Sequence, residues 1–417
     1  MKFNKKNVTI FGLGKSGVDL SLLLDSFGAN VRVTDAQDTP AVRENAKKLP
    51  SKAAVEIGAH SNAFIEGSDI IVVSPGVKSD LPILVDLSSK GIPVIGEIEA
   101  AASLCPAEIV AITGTNGKST VTTLVSEVLK LTGRNVFLCG NIGIPFSSCI
   151  SQVKKDDIVC LEVSSFQLET TVHFKPKVAV FLNFSRNHLN RHKDMTEYFQ
   201  AKKKIFANQD ESDWAVLNYR DTEIRNLAKE IKAEVVYFNE PAQPDEFVNP
   251  NYRAVAAIAS IFKVDGENCN KVFRAFKGLE HRLEFVRTIR DIDFINDSKS
   301  TTVDAGVWAL QNATKPIIMI AGGRDKGGDF SLIKDEASKK VKELIVIGEA
   351  REKIKSTLLE FLNIKESDTF ADAVHLAFKD ARAGDCVMLS PMCASFDMFS
   401  NFEERGTTFK HIVGELL

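Results

Sequence analysis

The chain has 417 residues, of which 44% are hydrophobic and 26% charged, and its formal net charge is −3. This length exceeds what one hydrophobic core serves and predicts about three domains. The small net charge excludes a general electrostatic attraction to nucleic acid or to an anionic membrane surface. We expect no membrane span and no signal peptide, because no apolar run is long enough and the N-terminus passes directly into a strand-turn-helix pattern.

Seven cysteines are scattered along the chain without paired spacing. An odd, unpaired set is typical of reduced thiols rather than of a disulfide framework. Cys139, Cys149 and Cys160 lie in apolar stretches, which predicts that they are small core residues. We therefore expect a cytoplasmic protein.

The N-terminal part begins with a strand, a glycine turn and a helix. A strand is predicted at 8–11, the turn G-L-G-K-S-G occupies 12–17, and a second strand at 31–34 ends at Asp35. Glycines permit close approach of a diphosphate, and an acid after the second strand can accept ribose hydroxyls. The pattern predicts a Rossmann-like domain, and up to this point a dinucleotide-binding domain is an equally good interpretation.

Two further strands are predicted in this part, at 70–73 and 93–95. The turn formed by Ser74, Pro75 and Gly76 follows the first of them, at a carboxyl end where ligands of open α/β sheets bind. We expect the first domain to close near residue 100.

The most informative stretch is E-I-V-A-I-T-G-T-N-G-K-S-T-V-T-T-L at 108–124. An apolar strand at 109–112 runs into a glycine turn, and a helix is predicted from Lys118. Such a junction aims backbone N–H groups and the positive end of a helix dipole at one point, where Lys118 adds a cation. Ile112 occupies the first glycine position of G-x-x-x-x-G-K-[ST], so the match is imperfect. An ordinary βα turn would need this combination by accident, and we interpret it as a nucleotide-phosphate site.

Strands and helices alternate beyond this site, which favours a mostly parallel sheet. Strands are predicted at 136–139, 158–161, 178–182, 214–217 and 234–238, and helices at 198–206, 252–262 and 266–276. The strand at 158–161 ends at Glu162, where a Walker-B-type carboxylate would lie near a metal bound at the glycine turn. Residues 239–248 are predicted to form a loop.

A third α/β unit follows the sequence G-L-E-H-R at 278–282, which predicts a hinge. Its strands are predicted at 283–289, 292–296, 317–321, 344–347 and 386–389. A glycine turn at 322–328 and a second turn at 390–395 follow two of these strands. Two phosphate-compatible turns and a hinged third domain indicate two substrates brought together by closure.

The turn T-G-T-N-G-K-S at 113–119 resembles that of the Mur ligases, ATP-dependent enzymes that form amide bonds in peptidoglycan precursor synthesis. Six further segments extend the resemblance over essentially the whole chain: G-N-I-G at 140–143, E-V-S-S-F-Q-L-E at 162–169, G-L-E-H-R at 278–282, I-N-D-S-K-S-T-T at 295–302, G-G-R-D-K-G-G-D-F at 322–330 and L-S-P-M-C-A-S-F-D-M-F-S-N-F-E-E-R-G at 389–406. The last is the most specific, and it is most similar to the branch of the family that adds D-glutamate.

The resemblance implies an α/β fold of three domains. Residues 1–100 would form a Rossmann-like domain for a UDP sugar, 101–282 a central P-loop ATPase with a mostly parallel sheet, and 283–417 a C-terminal Rossmann-like domain for the amino acid and for closure over ATP. The implied reaction uses ATP to convert the carboxylate of UDP-N-acetylmuramoyl-L-alanine into an acyl phosphate, which the amine of D-glutamate attacks. It implies a monomer whose partners are these small molecules.

The resemblance also implies the binding residues. ATP would be bound by Gly114, Thr115, Asn116, Gly117, Lys118, Ser119 and Thr120, and from the C-terminal domain by Arg282, Asp297, Lys299 and Thr301. The UDP sugar would lie near Ser16, Asp35, Ser74, Pro75, Gly76 and Asn141, and D-glutamate near Lys326, Ser395, Phe396 and Phe402. Turn or cap roles are good alternatives for Ser16 and Ser74, and core packing for the two phenylalanines.

Two Mg²⁺ sites are implied by the same resemblance. Ser119 and Glu162 would hold one ion, and His188 and Lys202 would serve the second, with Lys202 carried as a carbamate. Catalytic roles therefore fall to Lys118, Glu162, His188 and Lys202. The family apart, a solvated Lys202 and a structural His188 would be the preferred interpretations.

Some positions depart from the family pattern. The acids usual around His188 are replaced by Arg186, Asn187 and Asn190. The polar residues expected before the 252–262 helix, one of them near adenine, are replaced by Asn249, Pro250 and Arg253. We therefore transfer no adenine contact to this region.

Three other interpretations compete. A sibling Mur ligase or a folylpolyglutamate synthase is disfavoured by the 389–406 segment. A nucleotide-binding module without turnover is disfavoured by intact Lys118, Glu162, Lys202 and Lys299. A nicotinamide dehydrogenase is suggested by G-x-G-x-x-G alone.

Overall fold

The computed structural model describes residues 2–186, 191–241, 249–325 and 327–417. The chain divides into two compact units, Met1–Phe276 and Lys277–Leu417. Three sheets carry the α/β architecture, two of them in the first unit and one in the second. In the described part of the chain every helix is too short or too polar to cross a membrane.

The first sheet is parallel and has the strand order β3-β2-β1-β4-β5. Its strands are β1 (Asn7–Phe11), β2 (Asn30–Asp35), β3 (Ala54–Ile57), β4 (Ile70–Val73) and β5 (Val94–Gly96), and its helices are α1 (Lys15–Ser26), α2 (Pro40–Ala46), α3 (Asn62–Ile65), α4 (Pro82–Ser89) and α5 (Glu97–Ala102). The central strands are apolar and fully buried because helices cover both faces. The sequence did not predict β3, a short edge strand that is half exposed and has no continuous apolar run.

The second sheet is also parallel, with the order β11-β10-β9-β6-β8-β7. Its strands are β6 (Glu108–Thr113), β7 (Val136–Gly140), β8 (Ile158–Glu162), β9 (Val178–Phe181), β10 (Trp214–Asn218) and β11 (Glu234–Phe238). Its helices are α6 (Lys118–Lys130), α7 (Phe146–Cys149), α8 (Ser165–Glu169), α9 (Met195–Lys203), α10 (Thr222–Asn226), α11 (Pro250–Ile261) and α12 (Gly266–Ala275), with 3₁₀ turns at Ile150–Gln152, Lys204–Phe206 and Leu227–Lys229. Each predicted strand of this sheet is present.

The third sheet has the order β12-β13-β17-β14-β15-β16 and is parallel except for β12, which pairs antiparallel with β13. Its strands are β12 (Glu284–Ile289), β13 (Ile292–Asn296), β14 (Ile317–Gly322), β15 (Val341–Ile347), β16 (Ile364–Glu366) and β17 (Cys386–Leu389). Its helices are α13 (Val303–Asn312), α14 (Lys334–Lys340), α15 (Arg351–Leu358), α16 (Phe370–Asp380) and α17 (Phe402–Glu415), with a 3₁₀ turn at Phe330–Ile333. The sequence missed β16, another short edge strand.

Helix α5 joins the first two sheets into one unit. The buried Glu99 carboxylate accepts hydrogen bonds from the backbone N–H groups of Val172, His173 and Phe174, each at 2.9 Å. On the same helix, Glu97 accepts from the N–H of Ser147 at 2.7 Å. A carboxylate that accepts from several backbone donors at once is a strong contact, so these two acids hold the N-terminal sheet against the central one.

The cysteines are all free thiols. Cys139, Cys149 and Cys160 are buried in the cores of the second sheet, as predicted. Burial raises the pKa of the Cys160 thiol well above its usual range, so this group stays protonated.

Candidate active site

The glycine turn after β6 has the geometry of a phosphate-binding loop. Gly114 and Gly117 have φ angles of 156° and 80°, and Gly117 is the N-cap residue just before helix α6. A Cβ at Gly117 would lie 2.6 Å from Oδ1 of Asn251, and one at Gly114 would lie 3.0 Å from Cβ of Leu182. The chain needs glycine at both positions because other residues would be strained and crowded there.

Two lysine side chains meet at one oxygen of this turn. The Gly114 carbonyl accepts from Nζ of Lys118 at 3.0 Å and from Nζ of Lys202 at 2.8 Å. Lys118 also donates to the Thr115 carbonyl at 2.9 Å. Residues 118 and 202 are far apart in sequence, and the fold brings their cationic groups together at the N-terminus of α6.

Lys202 is buried, with only 1% of its surface exposed. Its ammonium group lies 4.8 Å from the ring centre of Tyr198 and 3.4 Å from Oγ1 of Thr113. Burial, reinforced by repulsion from Lys118, lowers the pKa of Lys202 well below its usual range, and Glu162 opposes this shift. The environment therefore makes protonation of this amine less favourable than it is for a lysine in water.

Glu162 ends β8, in register with Ile112 of the neighbouring strand β6. Its Oε1 accepts from Nδ2 of Asn141 at 2.7 Å, while its buried Oε2 has no hydrogen-bond partner among the described residues. An unsatisfied carboxylate oxygen in a buried position is costly and is suited to a cation.

The remaining residues of the turn are held by the segment after β9. The Asn183 amide accepts from the N–H of Asn116 at 2.8 Å and donates to the Asn116 carbonyl at 3.0 Å. Thr115 Oγ1 accepts from the N–H of Ser185 at 3.1 Å. Ser119 is buried in the first turn of α6, and Thr120 follows it half-buried. The turn is thus preorganised by Asn183, which the sequence analysis did not select.

The residues predicted for the UDP sugar lie in two places. Asp35 accepts from the N–H groups of Leu13 at 2.7 Å and Gln37 at 2.9 Å, and Ser74 Oγ donates to the Gly12 carbonyl at 3.2 Å. Ser16 lies in the first turn of α1, and the turn at Pro75 and Gly76 follows β4. These groups line the carboxyl edge of the first sheet, and Ser74 also has the turn-stabilising contact of its structural alternative. Asn141 lies instead beside Glu162.

In the second unit, one residue predicted for ATP, Arg282, precedes β12, and the other three follow β13. Asp297 is buried and accepts from the N–H of Leu283 at 3.2 Å and from Oγ of Ser390 at 3.0 Å. Burial raises the pKa of Asp297 to about 7. The Arg282 guanidinium lies 5.5 Å from the ring centre of Trp308. The backbone N–H of Lys299 donates to the His281 carbonyl, and that of Thr301 to the Lys299 carbonyl, both at 2.9 Å.

The residues predicted for D-glutamate are only partly described. Ser395 is buried, and Phe402 is half-buried with its ring edge-on to His281 at 6.2 Å. Phe396 is 57% exposed, so the core-packing alternative is wrong for this residue. Lys326 lies outside the described residues, as do Asn187, His188 and Asn190.

Three further residues near these sites were missed by the sequence analysis. His192 is buried, with Nε2 2.9 Å from Oγ of Ser165 and its ring 5.1 Å from that of Tyr198. Asn251 faces Gly117. Arg405 is fully buried in α17. Arg405 stands in the 389–406 segment, the most specific of those that carry the family resemblance, and His192 lies shortly after the predicted His188. The sequence therefore contained a signal for each of these two residues.

The chain is similar to known proteins along its whole length. Three family models match: "Mur ligase MurD-like, N-terminal domain" at 6–96, "Mur ligase middle domain" at 112–278 and "Mur ligase, glutamate ligase domain" at 281–393. The chain is 39% identical over its full length to the whole UDP-N-acetylmuramoylalanine–D-glutamate ligase of Alkaliphilus oremlandii. It is 40% identical over its full length to the enzyme of that name from Caldicellulosiruptor bescii, of which 99% is covered.

Solved structures share the fold at low sequence identity. The UDP-N-acetylmuramate–alanine ligase of Thermotoga maritima is 16% identical with a TM-score of 0.60, over 98% of this chain and 99% of that one. MurF from Acinetobacter baumannii is 15% identical with a TM-score of 0.59, over 99% of this chain and 92% of that one. The predicted three-domain α/β class is confirmed, while the boundaries at 100 and 282 stay a prediction. The full-length identity to curated relatives shows that this chain belongs to the Mur ligase family of ATP-dependent carboxylate–amine ligases.

Proposed function

We propose that the protein joins D-glutamate to UDP-N-acetylmuramoyl-L-alanine, with hydrolysis of ATP to ADP and phosphate, as a cytoplasmic monomer in peptidoglycan precursor synthesis. Curated relatives at 39–40% identity over the whole chain carry the name of this activity. One observation carries the proposal: Lys118 and Lys202 both donate hydrogen bonds to the Gly114 carbonyl. Glu162 lies at the end of β8, the strand next to β6.

The reaction needs such a site for a physical reason. A carboxylate is a poor electrophile, and transfer of the γ-phosphoryl group to it brings two anions together. The backbone N–H groups at the start of α6 and the Lys118 ammonium group would hold the ATP phosphates and offset their charge. The acyl phosphate so formed is electrophilic, and the amine of D-glutamate displaces phosphate from it to form the amide.

The residues present fit one Mg²⁺ ion. The buried, partnerless Oε2 of Glu162 and the hydroxyl of Ser119 are hard oxygen ligands of the kind that Mg²⁺ binds. When bound, Mg²⁺ would neutralise phosphate charge. The described residues contain no group of three or more His, Cys, Asp and Glu arranged around a metal position. A second Mg²⁺ served by His188 and Lys202 therefore rests on the family resemblance.

We also propose that Lys202 is carbamylated. The neutral amine that burial favours would attack carbon dioxide and lose a proton, leaving an anionic N-carboxylate at the end of the side chain. This change would replace a cation that repels Lys118 with an anion that attracts it. It would also supply two oxygen ligands beside the phosphate site.

The other binding residues are proposed in three groups. ATP contacts are proposed for residues 114–120 and, in the C-terminal unit, for Arg282, Asp297, Lys299 and Thr301. UDP-sugar contacts are proposed for Ser16, Asp35, Ser74, Pro75, Gly76 and Asn141. D-glutamate contacts are proposed for Lys326, Ser395, Phe396 and Phe402.

The test is phosphate release by the purified protein with ATP, Mg²⁺, UDP-N-acetylmuramoyl-L-alanine and D-glutamate, leaving out each in turn. We expect release only when all four are present and none when L-glutamate replaces D-glutamate. Turnover with an L-amino acid would instead indicate a sibling ligase. Nucleotide binding without phosphate release would indicate a binding module.

A further inference from the structure

Arg405 is a buried cation whose role the reaction scheme above leaves open. It lies in the first turn of α17, with 0% of its surface exposed. Its Nε donates to Oγ of Ser298 at 3.0 Å, and its Nη2 donates to the carbonyls of Ser298 at 2.9 Å and Cys393 at 3.1 Å. Its Nη1 is buried and has no hydrogen-bond partner among the described residues.

The charge of this guanidinium is not neutralised by a direct ion pair in the described part of the chain. Its hydrogen-bond acceptors are a hydroxyl and two carbonyls, and the acidic groups that act on it electrostatically are those of Cys393, Asp397 and Asp297. Burial lowers the pKa of Arg405 to about 10, so the group remains charged at neutral pH. A buried cation without a contacting anion is costly to a protein on its own.

The position of Arg405 in the sheet indicates where a compensating anion would bind. Strands β13 and β17 are parallel neighbours, but α13 packs on one face of the sheet and α17 on the other. Chains that leave adjacent strands toward opposite faces open a crevice at their carboxyl ends, which is where open α/β sheets bind ligands. Ser298 follows β13 and Cys393 follows β17, so Arg405 connects both walls of this crevice.

The glycine turn after β14 faces the same guanidinium. A Cβ on Gly323 would lie 3.2 Å from Nη1 of Arg405, and Gly323 has a φ of 128°. The N–H of Arg324 donates to the Ala394 carbonyl at 2.9 Å, which joins this turn to the one after β17. The partnerless Nη1 is therefore directed to the place where the turns after β14 and β17 meet.

We infer that Arg405 is a positioning residue that makes this crevice selective for an amino acid with an anionic side chain. The inference deepens the proposed function, in which that amino acid is D-glutamate. The hydroxyl of Ser298, which accepts from Arg405, donates in turn to the Phe402 carbonyl at 2.8 Å. One guanidinium thus supports both Phe402 and the turn that contains Ser395, and supplies positive potential beneath them.

The test compares D-glutamate with its neutral isostere D-glutamine. In Arg405→Gln we expect the KM for D-glutamate to rise about tenfold, while the inhibition constant of D-glutamine changes less than about twofold. Arg405→Lys keeps the charge, and both constants should stay within about threefold of the wild-type values. A parallel rise of both constants in Arg405→Gln would show a purely structural role and overturn the inference.

Two further variants complete the test. Asp397→Asn removes a negative charge that acts electrostatically on Arg405 and should lower the KM for D-glutamate about two- to fivefold, while the inhibition constant of D-glutamine stays the same. An unchanged or raised KM there would overturn the inference even if the Arg405 variants do not fold. Lys410→Gln removes a charge from the same helix that pairs with Glu280 and Glu284, and should change neither constant. Failure of the proposed function is distinguishable, because wild-type protein would then show no turnover with D-glutamate.

Discussion

Burial determines the chemistry of individual lysines in the 202–204 run. The half-buried Lys203 pairs with Glu230 at 2.5 Å, and the exposed Lys204 donates to the Glu169 carbonyl at 2.5 Å. Lys202 turns inward to Gly114, so the interpretation of a solvated lysine is wrong for this residue. Three adjacent lysines thus have different environments because one helix presents them to different neighbours.

Lys202→Ala should reduce phosphate release about 100-fold or more, because the variant loses the group proposed to organise charge at the phosphate site. Added short-chain carboxylates such as formate or acetate should restore part of the activity by occupying the vacated space. Lys203→Ala is the matched control and should keep wild-type turnover. Full activity of Lys202→Ala without added carboxylate would contradict the role.

Asp297 should make the stability of the C-terminal unit depend on pH. Its folded-state pKa of about 7 lies above the usual 3.8, so its contribution to stability is fully present below pH 3.8 and is lost as the pH rises through about 7. Asp297→Asn removes this titration. Relative to wild type, its free energy of unfolding should therefore increase by about 2–3 kcal/mol between about pH 5 and about pH 8.

Urea unfolding followed by the fluorescence of Trp308 measures this difference in the C-terminal unit. The other tryptophan, Trp214, is replaced by Phe in both proteins so that the signal comes from one unit. A difference between Asp297→Asn and its parent that does not vary with pH would show that Asp297 is not protonated by burial.

Among the elements, helix α6 depends on the glycine that precedes it. Gly117 combines a left-handed backbone with close approach to Asn251. The backbone N–H groups after it are the ones proposed to bind phosphate, so its conformation sets their direction. Gly133, just beyond the end of the same helix, has a similar φ of 77°, but a Cβ added there would have no atom within 4 Å.

Gly117→Ala and Gly133→Ala should therefore separate backbone strain from site geometry. Both should lose about 1 kcal/mol of stability, because alanine is disfavoured at positive φ. Only Gly117→Ala should also weaken ATP-dependent phosphate release, by about tenfold or more, since a Cβ displaces Asn251 or the turn. Equal activity of the two variants would mean that the turn does not position the nucleotide.

At the scale of the whole molecule, residues 1–276 form one unit although they contain two sheets. The three N–H groups gathered by Glu99 and the one bound by Glu97 explain this, together with packing of α1 and α5 against α7. Burial raises the pKa of Glu97, whose hydrogen bonds from Ser147 oppose the shift. The junction is therefore polar and specific rather than merely apolar.

Glu99→Gln should lower the free energy of unfolding of this unit by about 2–3 kcal/mol, because an amide cannot accept as a carboxylate does and turns N–H donors toward the backbone N–H groups of 172–174. Urea unfolding followed by circular dichroism measures the loss. Glu267→Gln changes an 83% exposed carboxylate in an i,i+4 pair and should alter stability by less than about 0.5 kcal/mol. If both variants changed the free energy of unfolding by a similar amount, Glu99 would not be the main contact that joins the two sheets.

The sequence by itself determined the features that are local in the chain. The strand, glycine turn and helix of 108–124 are contiguous, so their residue types predict both the structure and a phosphate site. The buried strands β1, β4, β6, β8 and β9 were equally readable, because strands covered on both faces are continuous apolar runs. The segments that resemble the Mur ligases are spread over the whole chain. They predicted the family membership that the identity to curated relatives confirms.

Only the tertiary structure decided which side chains are buried and what they contact. Lys202 meets Gly114 across 88 residues, and Arg405 meets Ser298 across 107. The edge strands β3 and β16 form because a neighbouring strand offers hydrogen bonds, and their own sequences lack a clear pattern. Solvation, pairing and electrostatic potential are set by neighbours distant in the chain, so no local pattern could state that Lys202 is buried beside the glycine turn or that Arg405 is buried between the turns after β13 and β17.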